Sequence, residues 1–181
     1  IWWLSSLSVP HYILPGPGRV WDALGLIAAN GDLWNNLGIT LWRVAVGFVL
    51  AALTGLPLGI LLGANRRTGE FFEPVLPVLN TVSSAIWAIF AIIWFGISNA
   101  TTIFVVFMTA MPLIITNVWQ GTRSVNAEFI ELAQVLRMPQ WKVMTKVYLP
   151  TILPYFFSGA RLAFGFGWRV SLAAETIGSS S

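Results

Sequence analysis

Three stretches of this chain, Val44 to Ala64, Pro74 to Ser98 and Thr101 to Thr122, each run beyond 20 residues without an Asp, Glu, Lys or Arg. A helix crosses the roughly 30 Å hydrocarbon layer of a bilayer with about 20 apolar residues, so each stretch is long enough to be a membrane span. A fourth, Thr151 to Ala174, is interrupted by Arg161 and Arg169 and bounded by Glu175. In lipid every backbone N–H and C=O has to be satisfied within the structure, which a helix does on its own. The expectation is therefore an all-α, multi-span helical bundle, with residues 1–181 forming a single transmembrane domain. Composition agrees: 56% of the residues are hydrophobic and 9% charged, against about 25% charged in soluble domains. A soluble fold of this length has too little interior to bury helices that are apolar on every side.

The chain holds no cysteine, which excludes a disulfide framework, thiolate metal sites and a cysteine nucleophile. Its one histidine, His11, lies outside the spans; there is no HExxH or CxxC motif, and no span carries two carboxylates placed for acid–base work. A membrane enzyme would need a polar cluster at one depth, and none is visible, so no catalytic or metal-binding residue is expected. The net charge of +3 comes from ten basic against seven acidic residues. In a membrane chain its distribution over the loops says more than its sum, and a nucleic-acid patch is not expected.

Arg66 and Arg67 follow the first stretch, only Ser98-Asn99-Ala100 joins the next two, and Arg123, Arg137, Lys142 and Lys146 follow the third. The basic loops are thereby assigned to the cytoplasm, with Arg19 and Arg43 left on the outer side as a minor exception. Glu70 and Glu73, beside Arg66 and Arg67, read as a solvated cytoplasmic turn. Ahead of the spans, Pro15-Gly16-Pro17-Gly18 marks a turn, and Val20, Leu24, Ile27 and Ala28 follow at helical spacing. This predicts a short helix ending near Gly31, either interfacial or packed on neighbouring spans. The opening Ile1-Trp2-Trp3-Leu4 has no initiator Met and no charged region before an apolar run, and so reads as a clipped start rather than a signal peptide; Gly178 to Ser181 reads as a clipped end.

Small residues recur at every fourth position in the first span, at Gly47, Ala51, Gly55, Gly59 and Gly63, and again in the last at Gly159, Ala163, Gly167 and Ser171. Such strips let another helix approach closely, so a packing role is assigned to them, with Pro57 a point where the first strip can kink.

Between the third and fourth spans, Ser124 to Leu149 is too polar for lipid and too well patterned for a loose loop. It predicts two short helices. Asn126 can cap the first, Glu128 lies near its positive end and Arg137 near its negative end. Met138 precedes a proline and is disfavoured from helical geometry, while Pro139 suits the first position of a second helix reaching about Tyr148. A helix-turn-helix here offers a rigid knob to another protein; an amphipathic linker resting on the membrane surface is the plainer alternative.

This segment resembles the coupling loop of the permease subunits of binding-protein-dependent ABC importers, whose pattern is EAA, three residues, Gly, nine residues, I-x-L-P. The same register gives Glu131-Leu132-Ala133, then Arg137 at the Gly position, then Val147-Tyr148-Leu149-Pro150. Leu41-Trp42-Arg43-Val44 to Gly47-Phe48, Trp94-Phe95-Gly96 and Gly159-Ala160-Arg161-Leu162 look like the nitrate, sulfonate and taurine branch of that family. That branch usually has prolines before Trp-Phe-Gly, where this chain has Ser83, Ser84 and Ile89. Family members typically have about six spans, which implies that a first span is mostly missing from these residues and a last one wholly missing.

The resemblance implies a permease subunit in a bacterial inner membrane, moving a small, anionic solute. It implies a second permease copy, a solute-binding protein on the outer face and ATP-binding subunits in the cytoplasm. No GxxxxGK[ST] phosphate loop occurs in the chain, so no cofactor is expected on it, and ATP and Mg belong to the partner ATPase. Residues 124–150 would be the coupling segment, with Glu131, Leu132, Ala133, Arg137, Val147, Leu149 and Pro150 as ATPase-coupling positions. Gly55, Gly59, Gly63, Gly159, Ala163 and Gly167 are the packing positions.

In the last span Arg161, Trp168 and Glu175 are spaced seven residues apart on one helix face, while Arg169 points elsewhere. Ionisable residues within a membrane are costly and mark a cavity or a partner. Arg161, Trp168, Arg169 and Glu175 are thus candidates for an anion pathway, with Trp87, Phe90 and Trp94 as aromatic lining. The structural reading is that the arginines snorkel to an interface or cap carbonyls, and the aromatics anchor or pack. The functional alternative to an importer subunit is a channel or secondary carrier that works without ATP.

Overall fold

The computed structural model describes Trp3, residues 16–29 and residues 32–179, and only the backbone of residues 23, 24, 27, 29, 32, 33 and 173–179. His11, Gly31 and the chain ends fall outside the described residues. The described residues are helical, with turns and no strand. The chain divides into two compact units, Ile1–Trp42 and Arg43–Ser181.

In the first unit, α1 (Pro17–Ala29) forms where the spacing of Val20, Leu24 and Ile27 predicts it, with Pro17 in its first turn where a missing N–H costs nothing. Helix α2 (Asp32–Ala64) starts twelve residues ahead of Val44 and continues through Pro57 without a break, and its residues 43–64 belong to the second unit.

In the second unit, α3 (Arg66–Phe72) replaces the turn expected around Glu70. The Asn65 side-chain oxygen accepts from the Arg67 amide at 3.1 Å, and Arg66 Nε lies 2.7 Å from Glu70 Oε1, one helical turn on. This local cap and pair make a helix where charge density alone suggested a loop. The hydrogen bond and the negative charge of Glu70 raise the pKa of Arg66 above its ordinary value.

The stretch Pro74 to Ser98, read as one span, is not one continuous helix. The stretch forms α4 (Val75–Thr81) and α5 (Ser84–Phe95), and the helical segments on either side of Val82 and Ser83 meet at 87°. Val82 and Ser83 are extended, at ψ 122° and 137°. The Thr81 hydroxyl closes one end on the Val78 carbonyl at 2.8 Å, and Ser83 caps the other by accepting from the Ala85 amide at 3.4 Å. At about 18 Å, α5 alone is too short to cross the membrane.

Helix α6 (Asn99–Arg123) is the central element. Against it, Gly47 faces Val106, Gly55 faces Ile114, Gly59 faces Val118 and Gly63 faces Thr122. The offset is 59 residues at every pair, so α2 and α6 run parallel. On the other side Gly121 meets Tyr155 and Gly159 meets Asn117, an antiparallel order that places α9 (Leu149–Ser179) against α6. Ala51, Ile114, Val118, Ile152 and Ala163 are fully buried where the three helices meet. Polar residues of α6 close on their own helix: Thr116 on the Pro112 carbonyl and Asn117 on the Leu113 carbonyl, both at 2.8 Å. Side-chain groups satisfied in this way can lie in lipid without loss.

Two further expectations are corrected. Pro139 does not occupy the first helical position; it is the N-cap of α8 (Gln140–Val143), and its carbonyl accepts from Lys142 and Val143. Nor does that second arm stop at Tyr148, because a π turn over Met144–Tyr148 joins α8 to α9. Pro150 has no N–H to give Lys146, and a π turn just before it relieves the register, with Thr151 Oγ1 donating to the Val147 carbonyl at 2.9 Å.

Candidate functional site

Two features of the second unit have the geometry of working parts: a cleft at the broken helix and a helical hairpin after α6.

The cleft, about 340 Å³, opens where α4 turns into α5. Asn80, Ser83 and Ser84 line it from the break, Trp87 from α5, Thr109 from α6 and Phe166 from α9. Every lining side chain is uncharged. The Thr109 hydroxyl is turned back on the Val105 carbonyl at 2.9 Å. Ser83, whose oxygen accepts the Ala85 amide, keeps its own hydrogen to donate. The cleft is therefore mildly polar, lined by hydroxyls and by the rings of Trp87 and Phe166.

Of the proposed pathway residues, Trp87 lies in this cleft. Arg161 and Arg169 are exposed and do not line it, and Trp168 is half-buried. The side chain of Glu175 lies outside the described residues. Trp94 meets Phe90 at a tilt and Phe104 edge-on, at centroid distances of 6.2 and 5.9 Å, at the far end of α5 from the break. Sequence reading missed Asn80, Thr109 and Phe166. The run Thr81-Val82-Ser83-Ser84, hydroxyl and β-branched residues inside an apolar stretch, was the available signal.

The hairpin begins with α7 (Ala127–Val135), where Asn126 Oδ1 accepts from the Glu128 amide at 2.9 Å, the cap expected from sequence. It ends in a Schellman motif: the Met138 amide reaches the Ala133 carbonyl, and the Arg137 amide the Gln134 carbonyl, both at 2.9 Å. Arg137 stands at the left-handed position with φ 49°, where glycine is the usual residue. Ile130, Ala133, Met138, Val143 and Tyr148 turn inward around a space of about 350 Å³. Ala133 is 3% exposed. Phe129, Leu132 and Leu136 form an outward stripe at helical spacing, with Glu131 also exposed and Val135 beside them 79% exposed. Val147 is half-buried, and Leu149 and Pro150 are exposed where the second arm enters α9. The stripe is an exposed apolar surface on a helix capped at both ends.

Residues 55–181 match the family described as binding-protein-dependent transport system inner membrane component. The chain is 37% identical over 148 residues to the bicarbonate transport system permease protein CmpB of Synechococcus elongatus, covering 82% of this chain and 53% of that protein. It is 34% identical over 169 residues to the putative aliphatic sulfonates transport permease protein SsuC of Bacillus subtilis, covering 93% and 61%. With the nitrate import permease protein NrtB of Synechococcus elongatus it shares 33% over 187 residues, covering 98% and 67%. The chain thus spans between about half and two thirds of the length of these curated relatives.

Proposed function

We propose, from the premise that this chain belongs to the family of binding-protein-dependent transport system inner membrane components, that it is the non-catalytic permease subunit of an ATP-driven importer in a bacterial inner membrane. Residues 1–181 act as one permease domain, with 124–150 as the coupling segment. The observation that carries this reading is the hairpin: a capped helix with an uncovered apolar stripe, whose second arm continues through a π turn into α9. A partner that grips the stripe can move a membrane helix as a rigid lever. ATP-binding subunits that carry ATP and Mg are that partner. Glu131, Leu132, Arg137, Val147, Leu149 and Pro150 present or support the contact, and Ala133 holds the hairpin closed from inside.

The solute is a small oxyanion. Bicarbonate, nitrate and sulfonates, named for the relatives, each carry one negative charge on oxygens that accept hydrogen bonds, which the Ser83 hydroxyl of the cleft can give in passing. Arg161 lies twelve residues into α9, about 18 Å from its start, with its side chain exposed. An exposed guanidinium at that depth calls for water or a second permease copy beside it; Arg161, Trp168 and Glu175 are assigned to that face, and Arg169 to the pathway from a neighbouring one. The strips of Gly55, Gly59 and Gly63 and of Gly159, Ala163 and Gly167 hold the helices that frame it. An outer-face binding protein delivers the solute.

The test is uptake into proteoliposomes holding the full-length permease, its ATPase and its binding protein. ATP-dependent entry of labelled bicarbonate, nitrate or an alkanesulfonate, and of no neutral solute, is expected. Entry that persists without the ATPase would make the protein a carrier instead.

A further inference from the structure

Near the end of α6, the Trp119 indole Nε1 is buried and finds no acceptor among the described residues, in a side chain only 8% exposed. Buried N–H groups are rarely left so, because each forfeits the hydrogen bond it had in water. Trp119 lines a cleft of about 280 Å³ bounded by the ends of α2 and α6 and by α3. Gly69 lets α3 close tightly on the indole edge, since a Cβ there would stand 3.3 Å from Nε1 and 2.6 Å from the Leu62 carbonyl oxygen. Arg123 and Arg66 also line this cleft, the Arg123 guanidinium 5.4 Å from the Trp119 ring centroid. Glu70 lies there too and engages one edge of Arg66, leaving one net positive charge and the remaining guanidinium hydrogens of both arginines.

The carbonyl ends of α2 and α6 attract cations, which accounts for basic residues at this place. It does not account for a buried indole donor between them. That donor and the two guanidinium groups border the same cleft, and a set of donors of this kind suits an acceptor-rich anion. The cleft lies at the level of Arg66, Arg67 and Arg123, the side that loop charge assigns to the cytoplasm. Phe71 and Phe72, exposed on the same helix α3 as Arg66, suit acyl chains.

We propose that the cleft between Arg66, Trp119 and Arg123 binds a phosphate group, supplied by an anionic lipid headgroup of the cytoplasmic leaflet, where basic pockets between membrane helices take such headgroups. Because Ile130 and Tyr148 of the hairpin also line it, a bound headgroup braces the hairpin against the spans. This rests on the membrane location alone and stands or falls apart from the identity of the solute.

The test is native mass spectrometry of the full-length permease with its ATPase, stripped of lipid and titrated with phosphatidylglycerol or, separately, inorganic phosphate. The wild type is expected to retain phosphatidylglycerol about tenfold better than a Trp119→Phe, Arg123→Gln variant. Glu70→Gln, which removes the opposing carboxylate, is expected to raise retention, a gain that misfolding cannot produce. Equal retention by all three proteins would overturn the proposal. Phosphate adducts with the same dependence on these residues, and no such dependence for phosphatidylglycerol, would overturn the lipid source and assign the cleft to free phosphate.

Discussion

The Met138 amide donates to the Ala133 carbonyl at 2.9 Å, and the turn that brings them together runs through Arg137 at φ 49°. A residue with a Cβ pays about 1–2 kcal/mol for that left-handed conformation. Arg137→Gly relieves it, at the cost of a more flexible unfolded chain. We expect a net gain of about 0.5–1 kcal/mol, read as a higher apparent melting temperature of the purified permease. A fall in melting temperature would mean that the Arg137 side chain contributes more than its backbone costs.

Glycines facing α6 form a graded series. A Cβ on Gly55 would lie 3.0 Å from Ile114 Cγ2, one on Gly59 would lie 2.6 Å from Val118 Cβ, and one on Gly63 would overlap Thr122. Alanine substitutions should lower stability in that order, from under about 1 kcal/mol at Gly55 to about 3 kcal/mol at Gly63. Thermostability by fluorescence size-exclusion chromatography in detergent reads the order; equal effects would contradict the parallel α2–α6 contact.

Because these 181 residues contain no cysteine, the cleft can be probed with single thiols. Ser84 lines it, whereas Ala88, one turn along α5, is buried against α6 and α9. A thiol reacts as its thiolate, which forms in water. Ser84→Cys should therefore react at least about tenfold faster than Ala88→Cys with a water-soluble methanethiosulfonate, and added solute should slow it. Equal rates at both positions would close the cleft to water.

The same elements show what a sequence reveals and what it hides. Uncharged length alone identified α2 and α6, and Asn126 announced its cap, because both signals are local. The 87° break in Pro74 to Ser98 was hidden because Thr81, Val82, Ser83 and Ser84 carry no charge and no proline. The bend rests on hydroxyl caps that a hydropathy pattern does not record. Pro139 and Pro150 suggested that a short second helix stops before the last span. The π turn instead absorbs Pro150 within a helical run, a change of register visible only in the backbone. Glu131-Leu132-Ala133 was legible as a motif, but not which of its members faces outward. That depends on how α7 folds against Met138 and Tyr148, which buries Ala133 and exposes Leu132.

The central claim, that the hairpin is gripped by an ATPase, turns on that difference between faces. Full-length permease should be co-purified in mild detergent with its ATPase, comparing wild type with Leu132→Asp and Val135→Asp, both on the exposed surface of α7, and with the hairpin fold checked by an unchanged melting temperature. Recovery of the ATPase should fall by about tenfold or more in each variant, since a charge placed in an apolar contact costs at least about 1.4 kcal/mol. Undiminished recovery with both variants would contradict the account and leave the hairpin as a surface linker.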